Sequence, residues 1–147
     1  MDSNEVVFLD SSVIISAILS QTGGSFYIIT QLHSSYDFII NKYVLDEVEN
    51  VISQKFSGDK EKYNMLFLLL SLSSIEVKEN PKKDEVNELT DVISSKDVPI
   101  LFTSLQYADY LLTLDKEFLQ DEVKKFCNSK GLNISNPKYF IENNSSI

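Results

Sequence analysis

Two short apolar runs in this chain end in an aspartate: Glu5-Val-Val-Phe-Leu9 runs into Asp10, and Tyr110-Leu-Leu-Thr-Leu114 runs into Asp115. Each reads as a buried strand of a parallel sheet, and in open sheets of that kind ligands bind beyond the carboxyl ends of the strands. An acid placed there points at whatever binds. Glu47 lies three residues after Val44 and four before Val51, so it shares the apolar stripe of its helix, whereas Asp46 and Glu49 fall off it. A carboxylate on such a stripe is costly unless it is paired or binds a metal. Asp97 stands directly before Val98-Pro99 at a helix start, where it could equally be an N-cap.

Carboxylates converging on one cleft repel each other, and a hard divalent cation relieves that repulsion. Mg²⁺ or Mn²⁺ takes oxygen ligands, keeps waters and often uses only one or two carboxylates directly. A cation so held lowers the pKa of its water and offsets charge developing on a phosphoryl oxygen. Such a site suits phosphodiester hydrolysis and needs no nucleophilic side chain. Taken singly, each aspartate is equally well a cap or turn residue, and Glu47 could belong to a helix-end ion pair.

The elements that must position these acids follow from patterning. Ser11 and Ser12 supply an N-cap for a helix over 13–19, which Gly23-Gly24 breaks. A second helix is predicted over 25–33 and a strand over 38–40. Asn41 opens a helix running to about Phe56, and another spans 61–72. A short strand at 75–77 precedes a helix that starts after Pro81 and is carried by Val86, Leu89, Val92 and Ile93. Pro99 starts a helix through Gln106. After the strand at 110–114 come a helix over 121–128 closed by Gly131, a strand at 132–134 and a short helix over 137–141. Alternation of this kind places helices on both faces of a mostly parallel sheet. Residues 1–142 form the domain, and 143–147 read as a frayed tail.

The length of 147 residues fits one domain, and 43% hydrophobic with 24% charged residues is the balance of a soluble globular chain. No apolar run approaches the ~20 residues of a membrane helix, and no signal peptide is evident, so the reading is cytoplasmic with no membrane. Cys127 stands alone, which excludes an intramolecular disulfide and reads as a small buried hydrophobe. His33 reads as a charge partner at a helix C-terminus, and Asp109 as a strand-start residue. Tyr36, Tyr43 and Tyr107 read as packing residues, with base stacking as the alternative. The net charge of −9 runs against nucleic-acid binding, which normally shows a basic footprint. Carboxylates gathered for a metal account for part of it. A basic partner chain could supply the missing charge, and the plain alternative is an acidic protein that never touches RNA.

The same segments resemble the PIN-domain family. Val6-Val-Phe-Leu-Asp-Ser-Ser-Val-Ile-Ile15 is similar to the family's opening, where an aspartate followed by hydroxyl residues starts the first helix. Tyr43-Val-Leu-Asp-Glu-Val48 resembles the helix carrying the second acid, here Glu47. Asp97-Val-Pro-Ile-Leu101 resembles the segment opening with the third, and Ala108-Asp-Tyr-Leu-Leu-Thr-Leu-Asp-Lys116 the strand ending in a Thr-x-Asp turn, its acid being Asp115. Asn136-Pro-Lys-Tyr-Phe140 is similar to the terminal segment. The resemblance spans Val6 to Phe140. It implies an α/β, three-layer α/β/α PIN-like fold with a central, mostly parallel sheet of about five strands.

It also implies RNA cleavage with Mg²⁺ or Mn²⁺ held by Asp10, Glu47, Asp97 and Asp115. Ser12 and Thr113 would bond the acids or their waters, against readings as an N-cap and an ordinary strand residue. Many small members are the toxin of a toxin–antitoxin pair and form dimers, so an antitoxin or other basic partner and a homodimer are implied. Three departures stand out: Leu114 where the family often has glycine, Phe102-Thr-Ser104 in place of an alanine-rich stretch, and no glycine between Leu105 and Ala108. The competing readings are a catalytically silent binding module on this fold, and an unrelated α/β domain whose acids are caps.

Overall fold

The computed structural model describes residues 4–144. Its sheet contains β1 (Glu5–Leu9), β2 (Tyr36–Asn41), β3 (Glu76–Lys78), β4 (Tyr110–Leu112) and β5 (Asn133–Ser135), all parallel, in the order β3-β2-β1-β4-β5. The helices are α1 (Ser11–Leu19), α2 (Gly24–Gln31), α3 (Lys42–Lys55), α4 (Lys60–Leu72), α5 (Lys83–Val86), α6 (Val98–Tyr107), α7 (Asp121–Ser129) and α8 (Pro137–Asn144). They cover both faces of the sheet, giving the three-layer α/β/α arrangement. Burial on both faces explains the near-continuous apolar runs: Val7, Phe8 and Leu9 of β1 and Phe38, Ile39 and Ile40 of β2 are all buried.

From β1 the chain winds outward to β2 and β3, then returns to lay β4 and β5 on the other side. The strand order therefore reverses between β1 and β4, and such a switch point leaves a crevice at the carboxyl ends of the strands. Asp10 follows β1 directly at that crevice.

Several boundaries differ from the pattern-based expectation. The strand expected to reach Leu114 ends at Leu112, so Asp115 lies in a turn beyond it. Thr113 adds a last rung to Ser135 (N···O 3.0 Å), after which the Leu114 amide is taken by Ser12 Oγ (3.0 Å) and the chain leaves the sheet. The helix expected after Pro81 is only the short α5 with a 3₁₀ turn over Asn87–Leu89. Leu89 and Ile93 are its buried anchors, too few to hold a long helix that is marginal by itself. The cap of α1 is the Asp10 carboxylate and not a serine. Strands β3 and β5 sit one residue later than expected. The last helix includes Asn143 and Asn144, and the remainder of the expected tail, 145–147, lies outside the described residues.

Cys127 is buried, and burial pushes its thiol up to about 11, far from a nucleophile's range. Tyr36 packs with Tyr110 and Phe140 in an aromatic cluster that seats α8 on the sheet. Among the described residues no single helix is long and apolar enough to cross a membrane.

Asn41 carries more than its place at the end of β2 implies. Its Oδ1 caps α3 by accepting from Val44 N (3.0 Å), and its Nδ2 donates to Pro99 O (3.0 Å) and Thr103 Oγ1 (2.9 Å) on α6. One fully buried amide thus fixes the helix bearing Glu47 against the helix that Asp97 precedes. Asn41→Ala removes a cap worth ~1 kcal/mol and strands buried partners at about 1–3 kcal/mol. Denaturant unfolding should show a loss of roughly 2–4 kcal/mol with an unchanged m-value.

Candidate acidic site

Asp10 is the innermost acid, with 3% of its surface exposed. Its Oδ1 accepts from Ser11 N (2.8 Å), and its Oδ2 accepts from Ser12 Oγ (2.7 Å) and Thr113 Oγ1 (2.8 Å). Burial raises its pKa above the ordinary 3.8, against the opposing pull of these hydroxyls and the amide. Each hydroxyl is used twice. Ser12 Oγ also accepts from Leu114 N (3.0 Å), and Thr113 Oγ1 accepts from Asp115 N (3.0 Å). Thr113 is therefore not an ordinary strand residue, and Ser12 is not the α1 cap: both clamp the loop after β4 onto Asp10.

Asp115 is thereby set beside Asp10, and its Oδ1 accepts from Glu117 N (2.9 Å), closing a turn. Leu114 departs from glycine without strain: its side chain is exposed, and it is not among the positive-φ residues of the described chain. The second departure is also accommodated. Thr103 and Ser104 are buried in α6 with their hydroxyls bonded back to Pro99 O (3.0 Å) and Ile100 O (2.8 Å). At the third, Ala108 is extended (φ −110°, ψ 156°), a conformation needing no glycine.

Glu47 is half-buried on α3 and reaches the site through Ser11, whose Oγ donates to its Oε1 (2.7 Å). Burial is the main cause of its raised pKa, with the Asp10 and Asp115 charges adding to it.

Asp97 is buried on the far side, 6% exposed, and precedes α6 without capping it. Its carboxyl meets that of Glu117, and Ser94 Oγ lies 3.0 Å from both Asp97 Oδ2 and Glu117 Oε2. Burial and this second carboxyl push Asp97 up to about 7, while Glu117 is drawn down by its bond to Asp97. A proton held between the two acids below about 7 is the expected behaviour of carboxyls brought into contact.

The charge of Asp115 bears on Asp10, Glu47 and Asp97, so all four expected acids occupy one field. Among the described residues, however, no group of three His, Cys, Asp or Glu side chains is arranged to hold a metal ion. Sequence reasoning missed Ser11, Ser94 and Glu117. Glu117 carried a usable signal, since an aspartate in a turn commonly accepts from the amide two residues on. Ser94 and Ser11 are bridges that appear only when the chain is folded. Tyr43 lies beside the acids, with its hydroxyl donating to Lys96 O (2.6 Å). Asp109 stitches the sheet, its carboxylate accepting from Val6 N (2.8 Å). His33 is exposed just past α2.

An open parallel α/β sheet with acids at its switch point defines the class. No family model matches the chain, and no curated protein matches it. Solved structures do. VapBC2 from Rickettsia felis, bound to a promoter DNA fragment, matches with TM-score 0.65 and 19% identity over 89% of this chain and 98% of that one. PAE2754 from Pyrobaculum aerophilum matches with TM-score 0.67 and 15% identity over 99% and 100%. The fold is the PIN-like one that the sequence resemblance implied.

Two outcomes follow from this geometry. Thr113→Val keeps the shape but removes one donor to Asp10 and the acceptor for Asp115 N. Stability should fall by about 1–3 kcal/mol, and in a crystal structure of the variant the loop after β4 should shift. The pH dependence comes from Asp97: between its ordinary 3.8 and about 7 the folded state holds a proton that the unfolded state has released. Its contribution is full below 3.8 and lost as pH rises through 7, so the melting temperature in EDTA should fall across that window. Burial gives Asp10 and Glu47 the same sign, and the lowered Glu117 acts only below its ordinary 4.5. Asp97→Asn should flatten the slope.

Proposed function

We propose that this chain is a metal-dependent endoribonuclease that hydrolyses RNA phosphodiester bonds, with Asp10, Glu47, Asp97 and Asp115 as its acids and Mg²⁺ or Mn²⁺ as cofactor. The observation that carries the reading is a single field of acids drawn from four separate segments at the sheet's switch point, in segments that resemble those of PIN domains.

The donor set fits a hard cation. Every available ligand is a carboxylate or hydroxyl oxygen, and the Asp97–Glu117 contact holds a proton where a cation would serve instead. Mg²⁺ needs only one or two carboxylates beside its waters, so Asp97, with Glu117 against it, would bind from one wall, and Asp115 would complete the site or hold one of the waters. Asp10, fixed by Ser12 and Thr113, and Glu47, fixed by Ser11, would orient the waters and the phosphate from the opposite wall. A bound divalent cation supplies an acidified water and offsets negative charge on the phosphate.

Within this reading the chain works in the cytoplasm as a homodimer and as the toxin of a toxin–antitoxin pair. Its neighbour VapBC2, bound to a promoter DNA fragment, supports the idea of a partner chain, here an antitoxin or other basic protein complementing a net charge of −9. The second reading is a catalytically silent module on the same fold, acting in an RNA-processing or regulatory assembly. The acidic balance of the chain, net −9, favours it.

Incubating purified protein with mixed RNA in Mn²⁺, Mg²⁺ or EDTA separates the two. The nuclease reading expects metal-dependent cutting that Asp10→Asn abolishes while far-UV circular dichroism stays unchanged. A thermal shift with Mn²⁺ but no cutting would select the binding module.

A further inference from the structure

Beside the acids lies an open cleft of about 310 Å³ between the 90–94 segment and the start of α7. Val92, Ile93 and Val123 line part of it, Thr90 and Gln120 offer neutral hydrogen-bonding groups, and the carboxylates of Asp91 and Glu117 also line it, Glu117 on the side of the acid cluster. Aliphatic surface beside hydrogen-bonding groups and two carboxylates, which accept from ring and amino N–H donors, suits a planar heterocycle. It does not suit a phosphate, because no lysine lines it.

A cation that acts on both walls of the acid cluster is Lys96, two residues past Ser94. Its side chain is exposed and makes none of the ion pairs found among the described residues. Its backbone is not free: Tyr43 Oη donates to the Lys96 carbonyl at 2.6 Å, tying the segment to α3. The Lys96 charge is felt by Glu47 on one wall and by Glu117 on the other, in each case opposing the cost of burial. A lysine anchored between those walls can meet an anion without collapsing onto a single carboxylate.

Resting on the nuclease reading above, we propose that the cleft is the subsite for one unpaired nucleobase of the RNA, and that Lys96 contacts the phosphate joining that nucleotide to the one at the acids. An unstacked base is what a protein can seat in such a cleft, while the phosphate contact adds affinity without reading sequence. Tyr43 acts as a positioning residue for Lys96.

The test is fluorescence anisotropy of the full chain with labelled single-stranded RNA oligomers in Ca²⁺ and in EDTA across a salt series, alongside cleavage in Mn²⁺. Lys96→Ala should weaken binding several-fold and reduce the salt slope by about one, and Lys96→Arg should restore most of it. Moving an abasic site along the oligomer should reveal one position where the missing base weakens binding. Gln120→Trp, which roofs the cleft from its exposed rim, should erase that position's effect. Melting temperatures should be unchanged, since both side chains are exposed. Lys96→Ala with wild-type affinity and slope, or no sensitive abasic position, in a protein that still cuts RNA would overturn this subsite alone. A wild-type chain that neither binds nor cuts RNA would overturn the nuclease reading and the subsite with it.

Discussion

A buried carboxylate is the constraint on which the rest of this site depends. Asp10 sits where β1 passes into α1, and leaving its charge unpaired there would cost several kcal/mol. Three donors meet it, and each comes from a residue whose backbone the fold must place. The Ser11 amide starts α1, Ser12 follows on its first turn, and Thr113 arrives from β4. The Asp10 amide also bonds Leu112 O at 3.0 Å, so its main chain joins β1 to β4 while its side chain holds the loop beyond. Satisfying one acid therefore fixes the first helix, the end of the central strand pair and the position of Asp115.

The opposite wall is built on another principle. Asp97 is not rescued by a set of neutral donors. It rests against Glu117, and Ser94 spans the two. Such a contact is stable only while something positive lies between the oxygens, a proton at low pH or a cation above it. Asn41 holds the two walls at a fixed distance by binding α3 to α6 through a neutral amide. The neutral network thus supplies rigidity, and the paired acids supply an affinity for positive charge.

This division explains what was legible in the sequence. The strand-helix alternation and the acids at strand ends are local patterns, and β1, Asp10 and the apolar stripe of α3 could be read from periodicity alone. Asp115 was read in the right neighbourhood for an imperfect reason: the strand stops at Leu112, and the acid is delivered by a turn that Thr113 clamps. Ser11, Ser94 and Glu117 were hidden because their roles depend on contacts between distant segments. The segment after Pro81 misled because its spacing is helical while its burial is not, and packing rather than propensity sustains a helix.

The acidic balance of the chain bears on the proposed RNA substrate through where the charge lies. A net −9 spread over the surface would repel RNA at every approach. Yet burial raises the pKa of Asp10 and Glu47 above the ordinary range, and Asp97 is pushed up to about 7. A divalent cation replacing the Asp97 proton would leave the crevice less negative than its residue count implies. Lys96, whose backbone carbonyl accepts from Tyr43 Oη, adds a positive charge that acts on both Glu47 and Glu117. On the proposed nuclease reading, weak attraction confined to the crevice, within a surface that repels, would favour engagement at the acids over non-specific coating of the protein by nucleic acid.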